Sequence, residues 1–142
     1  MFFTTATEPY LMSEYSADYH REAPVKLLDR LLHHHKSTPD EEVVLVSQVL
    51  ACDATLGYED GYNAQVMAFN GTPVRNLKHL AEMVLSCEEE LMTFHMEYNE
   101  LLVLCTKQVR ATTKEVMELH SIPNMVSKDL LVDLGDDVRR WL

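Results

Sequence analysis

The stretch AQVMAFNGTPVRNLKHLAEMV, Ala64 to Val84, constrains this chain more than any other. At its centre is Asn70-Gly71. Both residue types tolerate positive φ, so the pair is the strongest short-range signal for a tight hairpin turn. Before it, Gln65–Phe69 reads as a strand, Val66 and Ala68 alternating with Gln65, Met67 and Phe69. After it, Pro73 permits only a short or edge strand, because proline brings no donor to a ladder. Asn76 then suits the cap of a helix from Leu77 to about Ser86, with Leu77, Leu80, Ala81 and Val84 on its core face.

The rest of the chain arranges itself around that unit. Met1–Thr5 is apolar and β-prone. Pro9 opens a helical turn through Tyr15. Pro24 suits the first position of a second helix, which carries Leu27, Leu28, Leu31 and Leu32 as one stripe. Ser37–Glu42 is a polar loop. Val43–Ala51 is almost continuously apolar and rich in β-branched residues, which predicts a buried strand. Asp53–Asn63 is a loop holding two of the four glycines. Glu88-Glu89-Glu90 ends the capped helix. Leu91–Met96 places Met92, Phe94 and Met96 on one face, and Leu101–Cys105 returns as the second arm of a hairpin. A further helix spans about Gln108 to His120, and the tail from Asn124, including Gly135, is expected to be mobile. The order predicts an α+β fold: a small, mostly antiparallel sheet or partly open barrel flanked by helices. Its expected units are a domain over 1–107, with a helical insertion at about 9–36, and an extra C-terminal helix and tail over 108–142.

Charge and motifs narrow the function classes. Twelve Lys and Arg face 23 Asp and Glu, a formal net charge of −11, which argues against a nucleic-acid partner because such a partner requires a basic footprint. Cys52, Cys87 and Cys105 are odd in number and lack CxxC spacing, so they read as small core residues in a reducing intracellular compartment. No apolar run reaches the length of a membrane span. The first basic residue is Arg21, so the N-terminus matches neither a signal nor a transit peptide, and an organelle address would lie upstream. No serine is followed by glycine, which removes the tight turn that exposes a nucleophilic hydroxyl. His33-His34-His35 is the one metal candidate. Consecutive helical residues point about 100° apart, so the three cannot converge on one ion without acidic partners from elsewhere. His79 and His95 are lone residues. Glu88–Glu90 and the set Asp53, Glu59 and Asp60 do not match a calcium loop. No catalytic residue, metal site or cofactor is assigned.

QVMAFNGTPVRNLKHL is similar to the signature of PDZ domains of the Deg/HtrA (protease Do-like) serine protease family. TEPYLMSEY, APVKLLDRLLH, VVLVSQVLACDATLGYED and LKHLAEMVLSCEEELMTFHMEYNELLVL resemble, in order, the last PDZ domain of the plant-type members, and IPNMVSKDL resembles the segment that follows it. The likeness covers about Phe3 to Leu130. It implies a PDZ-like, non-catalytic domain whose chemistry resides in a separate protease domain, a role in protein quality control, and a mitochondrial, chloroplast or nuclear address. It also implies that Met1–Thr4 matches the strand after the family's carboxylate-binding loop, so that the domain is truncated at its N-terminus.

The resulting expectation is a module for peptide binding or oligomerisation. A peptide, or a segment of a neighbouring subunit, would add as a strand beside Met1, Phe2, Phe3 and Thr4 and pack against Leu80, Met83 and Val84. Replacing Thr4 by proline would delete an edge donor. Asn70 and Gly71 are the structural turn. The alternatives are an autonomous metal-dependent enzyme built on His33–His35 and a scaffold whose groove is not functional.

Overall fold

The run Val43–Ala51 yields strand β2 (Val44–Gln48), and it is buried on both faces. The computed structural model describes residues 1–142. β2 sits between β1 (Phe2–Thr5) and β3 (Ala64–Phe69), and the sheet continues through β5 (Leu91–Met96) to β6 (Leu101–Cys105). The two-residue β4 (Thr72–Pro73) pairs with β3 after the turn. Every pairing is antiparallel, giving an open six-stranded sheet.

Six helices flank the sheet. α1 (Glu8–Tyr15), α2 (Tyr19–Glu22) and α3 (Val25–Leu32) occupy the insertion. α4 (Leu77–Leu85) follows the turn, and α5 (Thr106–Leu119) and α6 (Lys128–Trp141) close the chain. No helix is long and apolar enough to cross a membrane. The alternation of β2 separates two cores. Val44 and Val46 face the main cluster with Val66, Phe94, Leu80 and Met92. Leu45 points the other way, into a smaller cluster with Leu11, Tyr19 and Leu27 from the insertion. Successive side chains of a strand point to opposite faces, so one strand serves both cores.

Two expectations need correction. The tail forms a packed helix rather than an open extension: α6 buries Leu134, Val138 and Trp141 in the main core. These residues follow helical spacing, but the Asp residues among them mask the stripe. Simple alternation also fails in β3, where Val66 and Phe69 are both buried. Val66 pairs with Met96 but Ala68 pairs with His95, so β3 carries an extra residue there. This β-bulge resets the facing of the strand and brings Phe69 inward, edge-on to Phe94 with ring centroids 5.0 Å apart.

The turn has the backbone its sequence requires. Asn70 has φ 44° and Gly71 φ 80°. Asn70 also stitches the hairpin to the sheet: its Oδ1 accepts from the Thr93 N–H at 2.7 Å, and its own N–H donates to the Thr93 carbonyl at 2.9 Å.

Candidate functional site

β1 is an edge strand with one neighbour, β2. Ala6 N–H donates to the Val43 carbonyl at 2.7 Å, which fixes the phase of the ladder. Backbone groups alternate in direction along an antiparallel pair. Thr4, opposite Leu45, therefore bonds inward to β2, while the backbone groups of Phe3 and Thr5 face the open edge. This corrects the role given to Thr4: proline there would break the internal ladder, and the edge donor to delete is at Thr5.

Beside that edge lies a cavity of about 770 Å³. Met1–Thr5 forms one wall and Leu77, Leu80, Ala81 and Val84 of α4 form another; Met92, Phe94 and Leu104 also line it. Phe3 stacks on Phe94 at 5.4 Å between centroids, while Phe2 is 37% exposed. Of the seven residues singled out from sequence, Met1, Phe2, Phe3, Thr4, Leu80 and Val84 line this cavity. Met83 does not; it packs, partly buried, against the main core. One position along the helix from Val84 turns its side chain by about 100°, enough to take it off this wall.

Two polar residues set the separation of the walls. The Glu42 carboxylate accepts from the Leu77 N–H at 3.1 Å and from the Thr5 hydroxyl at 3.3 Å. A carboxylate at a helix N-terminus satisfies an otherwise unbonded donor and suits the helix dipole. Here it also ties α4 to β1. Asn76 caps α4 through Oδ1, which accepts from the His79 N–H at 2.8 Å, and its amide donates to the Asp40 carbonyl at 3.0 Å. The loop Ser37–Glu42 is thus a brace for the groove, a role its polar sequence did not disclose.

A third wall comes from the C-terminal region. Ile122–Ser127, with Leu130 and Trp141 of α6, lines the cavity. Lys78 of α4 donates to Asp133 of α6 at 2.6 Å, and this partnership holds the lysine above its ordinary pKa. The Trp141 indole N–H is buried and has no hydrogen-bond partner. Met125, Val126 and the terminal Trp141-Leu142 pair were the available sequence signals for this wall, but they lie in a segment too rich in Asp to read as core.

The histidine cluster lies apart. His33 ends α3, and His34 Nε2 stands 3.9 Å from Glu41. No group of three or more His, Cys, Asp or Glu side chains comes together to hold a metal ion. Cys52 and Cys105 are partly buried, Cys87 is buried, and all three are free thiols.

Comparison with known proteins places this architecture. A family model described as PDZ domain matches residues 1–129. Protease Do-like 2, chloroplastic, of Arabidopsis thaliana is 34% identical over 142 residues, which is 98% of this chain and 23% of the relative. Putative protease Do-like 11, mitochondrial, of the same plant is 35% identical over 91 residues, covering 64% of this chain and 16% of the relative. Protease Do-like 4, mitochondrial, also of Arabidopsis thaliana, is 40% identical over 76 residues, covering 54% of this chain and 15% of the relative. The chain thus spans less than a quarter of the length of these relatives.

Proposed function

The chain belongs to the PDZ domain family, of the Deg/HtrA type, and on that premise we propose that it is a non-catalytic module that captures an extended peptide or a segment of a neighbouring subunit. One observation carries the reading: the outward backbone groups of Phe3 and Thr5 border an apolar cavity whose far wall is α4. An incoming strand would pair with that edge, gaining affinity from main-chain hydrogen bonds, and its alternate side chains would enter the apolar space. The relatives' names place them among proteases of chloroplasts and mitochondria. That kinship supports a role beside a protease domain in organellar protein quality control, including oligomer assembly.

The test uses a peptide array to select binders, followed by titration of the best one. Thr5→Pro removes the edge donor, and Thr5→Val removes only the hydroxyl that reaches Glu42. Binding should fall by about tenfold or more in Thr5→Pro, the effect of losing one hydrogen bond and its geometry. Thr5→Val should retain most of it. Equal binding by Thr5→Pro, with its circular dichroism unchanged, would exclude the β1 edge and favour a scaffold whose groove is not used.

A further inference from the structure

The three walls of the groove are not held alike. β1 belongs to the sheet ladder, and α4 is capped by Asn76 and braced by Glu42. The third wall has no such ties. The main-chain N–H groups of Asn124, Met125, Val126 and Ser127 find no backbone partner, and Ser127 gives α6 no side-chain cap. What holds the wall is side-chain packing, the Arg110 guanidinium over the Trp141 ring at 4.6 Å, and the Lys78–Asp133 ion pair, whose two partners are about half exposed (46% and 53%). Exposed pairs of this kind are weak. Docking also leaves the Trp141 indole N–H buried without an acceptor, which penalises the docked position because undocking would give that donor water. Against this stand the burial of Leu134, Val138 and Trp141 and the packing of Met125, Val126, Leu130 and Leu131 on the same core. A segment held to the rest by side-chain contacts and lacking ladder bonds is the kind of unit that opens while the rest of a domain stays folded.

We propose that residues 122–142 form a strap that gates the groove, latched to α4 by Lys78–Asp133 and hinged at Ser121–Asn124. Ser121, in the left-handed region at φ 53°, and Pro123 mark where α5 ends and the unsupported stretch begins. Docked, the strap lines the cavity beside the free edge of β1. Undocked, it opens a further way into that cavity for the side chains of an entering strand. This inference rests on the groove reading for its consequence, but the opening itself requires no ligand.

The experiment is amide hydrogen exchange on the whole chain and on Asp133→Lys, which sets two cations against each other at the latch. In the wild type, α6 amides should exchange at least about tenfold faster than those of β5 and β6. Asp133→Lys should speed α6 by about a further threefold, the scale of an exposed pair, and leave β5 and β6 unchanged. Trp141 is the sole tryptophan, so acrylamide quenching of its fluorescence gives a second readout, and it should increase in the variant. Exchange of α6 at the rate of β5 and β6 would overturn the strap. So would α6 exchange that ignores the Asp133 substitution. An opening strap in a chain that captures no peptide would support gating and overturn the groove reading alone.

Discussion

β2 and β6 read almost alike, VLVSQ and LLVLC, and end up in different surroundings. Val44, Leu45 and Val46 of β2 are all buried, since α1–α3 cover the face that the main core does not. In β6, Leu102 and Leu104 are buried but Leu101 and Val103 are 54% and 37% exposed. That outer face is left partly open. β6 is also the second edge of the sheet, and there the Tyr58 hydroxyl both accepts from the Val103 N–H at 3.3 Å and donates to its carbonyl at 3.4 Å. A tyrosine thus occupies the edge groups that an incoming strand would need. An apolar run does not fix how many of its faces are covered; the elements that pack on it do.

The largest effect that could break this comparison lies in its central residues. Leu45→Ala should cost about 2–5 kcal/mol, the range for a fully enclosed leucine, while Leu101→Ala should stay within about 0.5 kcal/mol. Urea midpoints decide it, and equal losses would mean that the outer face of β6 is covered in solution. A second test acts on β3, which lies between the two strands. Gly71→Val forces a β-branched residue to φ 80° and should cost about 1–3 kcal/mol, loosening β5 and β6 more than β2. Gly135→Ala in α6, where an added Cβ meets nothing within 4 Å, should instead stabilise by about 0.5–1 kcal/mol.

Tyr58→Phe sharpens the contrast between a guarded edge and an interior strand. Its stability cost should be no more than about 1 kcal/mol, but sedimentation should show more self-association than in the wild type. An unchanged monomer fraction would remove Tyr58 from the role of guard. The smallest effect concerns the helices that cover β2. Tyr10 of α1 donates to Asn63 Oδ1, and burial, with Glu14 and Tyr15 adding, pushes its pKa from 10.0 up to about 12. A raised folded-state pKa gives stability that is complete below the unfolded value and lost as pH rises through the folded one. Between pH 10 and about 12 the insertion should therefore loosen before the sheet does. Loss of circular dichroism from helices and sheet together across that window would show that the two cores are not separable.

Much of the fold was legible because its signals are local. Asn70-Gly71 needs only its own backbone freedom, and Asn76 needs only the N–H groups of the next turn. The leucines of α3 and α4 announce their faces by spacing alone. The groove was half legible: β1 and α4 were identified as walls, but Glu42 as a brace, Met83 as an outlier and α6 as a third wall were not. Each depends on residues distant in sequence. Glu42 lies 35 positions from Leu77, and Lys78 lies 55 from Asp133.

What the sequence determined by itself is the set of elements and their turns, since propensity, capping and positive φ are decided within a few residues. The tertiary structure alone decided which edge of β1 is free, because a strand's outward groups follow from its pairing register with β2. It also decided which apolar faces are covered, because burial belongs to pairs of surfaces and a sequence describes each surface separately.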